Sequence, residues 1–180
     1  KYMAMAGWKT DDMLGGIEGI LNLAAASGED LATTSDIVTD ALTAFGMKAS
    51  EAGHFSDVLA QAASNANTDV SMMGESFKYV APVAGAMKYK VEDVSLALGL
   101  MANSSVKGSM AGTALKTSLA NMAAPTDKMT EAMDKYGISL VDSYGNMKTL
   151  KGVLDNLRSS LGGLSEAEQT AAASTIFRKE

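Results

Sequence analysis

The chain has 180 residues, 47% hydrophobic and 20% charged, which supplies a buried core and is too apolar for a disordered tail. With no cysteine and one histidine, it excludes disulfides, thiolate metal sites and cysteine nucleophiles, and any imidazole chemistry rests on His54. The net charge of −6 sits in residues 1–60, where 9 acidic side chains outnumber 3 basic ones; that balance lacks the basic stripe of an autonomous nucleic-acid binder and reads first as a solvated acidic face and second as a surface for a basic partner.

Thr10-Asp11-Asp12 opens the first predicted helix, with a capping oxygen and acids against the N-terminal dipole. Met13, Ile17, Ile20, Leu21 and Leu23 give it one apolar face, and Gly28 ends it. Glu29-Asp30 opens a second helix through Ile37, Ala41, Leu42 and Phe45 to Gly46. Ser50-Glu51 opens a third through Phe55, Val58, Leu59 and Ala62, and Asp69 or Ser71 a fourth through Phe77 and Val80, where Pro82 should introduce a kink. Glu92-Asp93 and Ser109 begin the fifth and sixth, the latter stopping before Pro125. Thr126-Asp127 begins a seventh, closed by Gly137.

There the pattern changes. Ile138-Ser139-Leu140-Val141 alternates, Asp142-Ser143-Tyr144-Gly145-Asn146 is a turn cluster, and Met147-Lys148 can pair back, which predicts a small β-hairpin over 138–148. A helix from Thr149 or Leu150 to Leu161 follows. A last one starts at the Ser165…Glu168 capping box.

Thirteen methionines, abundant alanine and only two prolines suit closely packed helices. The expected fold class is all-α, a compact array of about eight to nine short helices with that one hairpin. Residues 1–124 read as a helical-hairpin region. Residues 125–180 read as a helix, the β-hairpin and C-terminal helices packed on the first region. A shift of 39 residues aligns Gly7, Gly46 and Gly85, then Ile20, Leu59 and Leu98, then Ala41, Val80 and Leu119. A repeat of that length would stack αα-hairpins. The opening Lys1-Tyr2-Met3 and the closing Ile176-Phe177-Arg178 carry no start or stop signal, so the chain reads as part of a longer protein.

Chemistry-bearing patterns are sparse. Glu51, His54 and Asp57 are spaced to meet on one helix face, an acid–base arrangement or, by a wide margin, a solvated histidine between carboxylates. Ser104-Ser105-Val106-Lys107 fits S-x-x-K, but none of the motifs that accompany it in serine hydrolases is present. Gly108-Ser109-Met110-Ala111-Gly112 lacks the lysine of a phosphate loop and reads as a loop entering a helix. Gly15/Gly19 and Gly108/Gly112 are G-x-x-x-G pairs that permit close helix contact. Met72-Met73 is the expected exposed contact pair, since neighbouring helix positions do not share a face. No catalytic, cofactor-binding or metal-binding residue is assigned, and no cofactor is expected.

Several runs together resemble the core region of phage tail tape-measure proteins. They are Ala6-Gly7-Trp8-Lys9-Thr10, Asn22-Leu23-Ala24-Ala25-Ala26-Ser27-Gly28-Glu29-Asp30-Leu31-Ala32, Asp36-Ile37-Val38-Thr39-Asp40, Asp57-Val58-Leu59-Ala60 and Lys78-Tyr79-Val80-Ala81-Pro82. Lys107-Gly108-Ser109-Met110-Ala111-Gly112-Thr113-Ala114-Leu115, Tyr136-Gly137-Ile138 and Asp142-Ser143-Tyr144-Gly145-Asn146-Met147 continue the series in order. The ending departs at Arg178, where the family pattern carries Gly.

The resemblance implies a structural virion protein of a phage or phage-like tail, acting in tail assembly and tail-length determination, with no catalysis in this segment. It implies a location inside the tail tube, and the host cytoplasm during assembly. Implied partners are the tail-tube protein, tail assembly chaperones and the tail-tip or baseplate hub, with self-association as a further option and membrane contact only during ejection. The alternative expectation is a membrane-active module that helps form the DNA passage during genome ejection. Its support lies in uncharged stretches such as Val94–Val106 and in the glycine pairs.

Overall fold

The computed structural model describes residues 1–177; the departure at Arg178 lies outside the described residues. Those residues form ten α-helices: α1 (Tyr2–Met5), α2 (Thr10–Ser27), α3 (Leu31–Phe45), α4 (Ala52–Ser64), α5 (Val70–Ala86), α6 (Val91–Asn103), α7 (Gly108–Ala123), α8 (Asp127–Tyr136), α9 (Leu150–Leu161) and α10 (Glu166–Phe177). A 3₁₀ turn, Ala49–Glu51, leads into α4. The single turn of α1 had no sequence signal, while Ser50-Glu51, expected to open the third helix, forms this 3₁₀ turn.

The helix starts follow local chemistry. Asp30 accepts from the amides of Ala32 and Thr33 at 2.9 and 3.0 Å, and Asp69 from that of Met72 at 2.7 Å. Thr149 accepts from the Gly152 amide at 3.0 Å. At α10 the Ser165 amide donates to the Glu168 carboxylate at 3.1 Å and the Glu168 amide to Ser165 Oγ at 3.4 Å, the reciprocal pair of a capping box. Thr10, expected as a cap, is instead the first helical residue. The N–H before it, that of Lys9, donates to Asp12 at 3.0 Å. Gly28, Gly46 and Gly137 leave their helices with φ of 74, 66 and 63°, a region that costs other residues a Cβ clash. Pro82 lies inside α5.

The chain divides into two units, Lys1–Ala114 and the residues from Leu115 onward. In the first unit, α2 packs on α4 and α4 on α6, while α3 packs on α5. The sequential pairs α2–α3 and α4–α5 also touch, so two helix rows face each other. A shift of 39 residues carries the start of α2 at Thr10 onto the 3₁₀ turn at Ala49. The same shift carries the start of α3 at Leu31 onto that of α5 at Val70, and brings α5 within a residue of the start of α7. Ile20, Leu59 and Leu98, in register at that period, are all fully buried. Phe77 lies edge-on to both Phe45 and Phe55, with ring centroids 5.9 and 5.5 Å apart.

In the second unit α8 packs on α10, and Met129, Met133, Leu150, Val153 and Ile176 are buried. The predicted β-hairpin over 138–148 is absent: the described residues contain no strand. A single antiparallel bridge joins Val141 to Met147, flanked by Asp142 N–H to the Asn146 carbonyl at 2.9 Å and Lys148 N–H to the Leu140 carbonyl at 2.8 Å. Side chains stop it from extending. Asp142 accepts from the amides of Tyr144 and Asn146 at 2.8 and 2.9 Å, which makes the segment an Asx turn. The Ser139 amide donates to Asn156 of α9 at 3.1 Å and is spent there, while Thr149 on the other arm caps α9. A two-stranded ribbon with both arms so committed has no third strand to stabilise it.

Glycines set the helix spacing in the first unit. A Cβ on Gly19 would lie 2.5 Å from the Gly53 backbone nitrogen, while one on Gly15 meets nothing within 4 Å. Gly19→Ala should therefore destabilise the fold by about 1–3 kcal/mol by forcing α2 off α4. Gly15→Ala, on the exposed side of the same helix, should stabilise it by about 0.5–1 kcal/mol. Urea midpoints of the two variants measure both, and equal midpoints would refute the close-approach account.

Candidate functional site

The sequence candidates do not assemble into a reaction centre. His54 turns away from Glu51 and Asp57 and pairs with Glu92 of α6, Nε2 to Oε1 at 2.8 Å, with both side chains about half exposed. Glu51 instead accepts from the Lys48 amide at 2.7 Å and closes the 3₁₀ turn. The hydrogen-bonded pair links α4 to α6 at the surface, where such a contact contributes little. Ser104 and Lys107 lie in the connection between α6 and α7, so no helical turn aligns them. There the amides of Ser104 and Val106 both donate to the Met101 carbonyl, at 3.0 and 2.9 Å, and Ser105 takes φ 66°.

Gly108–Gly112 forms the first turn of α7. Ser76 Oγ donates to the Gly108 carbonyl at 2.8 Å, and a Cβ on Gly112 would fall 2.2 Å from the Ser76 carbonyl oxygen. Of that pair Gly112 lets the first turn of α7 approach α5, while a Cβ on Gly108 would meet only Glu75 Cγ at 3.9 Å. In the other pair only Gly19 does comparable work, and Gly16, beneath the Trp8 ring, replaces Gly15. Met72 and Met73 separate as neighbouring helix positions must: Met73 is buried and Met72 exposed.

Three surface concavities mark the first unit. One of about 400 Å³ lies between α3 and α5, where Lys78 Nζ meets Asp36 at 3.2 Å beside Met72 and Glu75. A neighbouring one of about 420 Å³ includes Asp40, Gly74 and Pro82. Asp40 itself is exposed, and partial desolvation chiefly, with the Asp36 charge next, pushes its carboxyl above the ordinary carboxylate value, with Lys78 opposing. The third, about 290 Å³, runs between α4 and α6 past Val58, Ala62, Ser95, Leu96, Gly99 and Leu100. Among the described residues no three His, Asp or Glu side chains converge as a metal site. No helix among the described residues is long and apolar enough to cross a membrane.

What the geometry defines is a class: an all-helical protein whose first unit packs its helices in two facing rows, with no reaction centre among the described residues. A family model, phage-related minor tail protein, matches residues 1–177, and the chain belongs to that family. It is 38% identical over 175 residues to the tape measure protein of Pneumococcus phage Dp-1, an alignment spanning 97% of this chain and 15% of that protein. It is 27% identical over 180 residues to the probable tape measure protein of Escherichia phage P2, spanning 99% of this chain and 22% of that protein. The chain thus spans less than a quarter of the length of either relative. No solved structure matches it.

Sequence reasoning missed that α2 is apolar on two sides. Ile20 and Leu23 are buried with Gly16 and Gly19, but Leu14 and Leu21 face outward. The signal was available in the spacing: Leu21 adjoins Ile20, and one helix face cannot bury both fully.

The raised Asp40 value gives a pH-dependent expectation. The native state holds this proton more tightly than the unfolded chain, so stability falls as pH rises from the ordinary carboxylate value to the native one. Above that window the ionised carboxylate carries a cost that its solvent exposure keeps small. Asp40→Asn should raise the thermal midpoint at pH 7, with the advantage vanishing as pH drops below the carboxylate range. A midpoint lowered at pH 7 would contradict this.

Proposed function

We propose that this chain is a segment of a structural tail protein, acting in tail assembly and tail-length determination as part of a tape measure. The observation that carries the reading is the alignment of 97% and 99% of the chain with proteins named as tape measures. On this reading it works through assembly contacts and performs no catalysis. It resides in the virion tail, within the tube, after assembly in the host cytoplasm. Its partners are the tail-tube protein, the tail assembly chaperones and the tail-tip or baseplate hub.

Within such a protein the segment acts as a folded module and not as measuring rod. An α-helix rises 1.5 Å per residue, so 180 residues in one rod would span roughly 270 Å. The longest helix here has 18 residues, roughly 27 Å. Left-handed glycines at 28, 46 and 137 turn the chain back at helix ends.

An in-frame duplication of residues 1–180 in the parent gene tests this, with tail length read by electron microscopy. Assembled tails of unchanged length are expected. Tails longer by about 1.5 Å per added residue would make the segment extended ruler and overturn the folded-module reading. Absence of tails alongside normal heads would place its action in assembly.

A further inference from the structure

The outward side of α2 has the pattern of half a coiled coil. Leu14, Ile17, Leu21 and Ala24 follow one another at intervals of three, four and three, the a and d positions of two heptads. Leu14 is 70% exposed and Leu21 46%, while Ile17 and Ala24 are partly exposed. The opposite side of the helix, through Gly16, Gly19, Ile20 and Leu23, is the one buried in the fold. Glu18 falls at the e position of the first of these heptads and Asp11 at the e position one heptad earlier, both exposed and lying along one edge of the apolar seam.

Charge identifies what can cover this seam. Between Lys9 and Lys48 there are seven Asp and Glu residues and no Lys, Arg or His. Of these, Asp36 already has Lys78. A second copy laid antiparallel on α2 would set Glu18 near its own counterpart and bring two acidic segments together. A helix with Lys or Arg at its flanking positions would answer both the seam and the charge. The other exposed leucines, Leu96 and Leu100 on α6, lack this register. They sit four residues apart with no heptad partner, and the nearby Glu92 is engaged by His54.

We propose that the outer face of α2 docks an amphipathic helix of a partner protein, one that carries an apolar a/d seam and basic residues at its e and g positions. Leu14, Ile17, Leu21 and Ala24 supply the seam on this side. Asp11 and Glu18 set the orientation and select against acidic or self partners. The inference rests on the geometry of α2 and stands apart from the tape-measure reading.

The test uses the 180-residue chain and a fluorescent peptide of about four heptads with Leu at a and d and Lys at e and g. Its companion carries Glu at e and g. Fluorescence anisotropy should show binding of the Lys peptide and none of the Glu peptide. Leu14→Ser with Leu21→Ser should weaken binding about tenfold or more, since two leucines lose their burial. Asp11→Asn with Glu18→Gln should weaken it less and flatten its salt dependence. Leu96→Ser with Leu100→Ser should leave it unchanged. All substituted side chains are exposed, and circular dichroism verifies that each variant is folded. No binding of the Lys peptide, equal loss in the Leu96/Leu100 variant, or indifference to the Leu14/Leu21 pair would each overturn the proposal. So would a sedimentation dimer that the Leu14/Leu21 variant abolishes, since the occupant would then be a second copy.

Discussion

Close approach of helix backbones is the constraint on which the first unit depends. Gly19 faces Gly53, and Gly112 faces the Ser76 carbonyl. A Cβ on Gly85 would come within 2.2 Å of the Ala44 carbonyl oxygen. Gly74 lies under the Ile37 side chain, where an added Cβ would be 2.5 Å away. These contacts fix the distances between α2 and α4, α3 and α5, and α5 and α7. At such spacings bulky rings do not fit between helices, which accounts for a core built mainly of alanine, valine and leucine with few aromatics. The phenylalanines that are present gather where α3, α4 and α5 meet, at Phe45, Phe55 and Phe77.

Within the first unit several element starts recur at 39 residues, Thr10 against Ala49 and Leu31 against Val70. Ile20, Leu59 and Leu98 keep one role, burial in the row formed by α2, α4 and α6. Ser56 and Ser95, also in register, are both buried there, with hydroxyls that find no hydrogen-bond partner among the described residues. The row is thus held by shape and apolar contact, with little directional bonding across it.

Most helix starts and stops were legible because capping is local: an Asp, Ser or Thr and the amides two or three residues on lie within one turn of chain. What failed to show in the sequence was decided at longer range. The 138–148 segment has strand-like alternation, but Asn156, on a helix that follows it, holds the Gly137 carbonyl at 3.1 Å and the Ser139 amide at the same distance. That tether ties it down as a loop. His54 was grouped with its sequence neighbours, yet its partner, Glu92, lies 38 residues away on α6. The family was readable from ordered short runs, whereas the α2 seam showed in the sequence only as the adjacency of Ile20 and Leu21, and burial assigned which of the two faces inward.

The folded arrangement also bears on what a change to extended form would require. Straightening the turns at Gly28 and Gly46 would move both glycines out of their left-handed conformation and undo the Asp30 cap. It would also carry Ile20, Val38, Phe55 and Leu59 from the core into contact with whatever surrounds the chain. Burying a large apolar side chain is worth about 1.5–3 kcal/mol, so exposing four of them to water outweighs the cost of any single cap or turn. Extension is therefore uphill in water for this sequence. It becomes accessible only against a surface that covers those side chains again, and helix-to-helix docking along an apolar seam is the least demanding way for such a surface to do so.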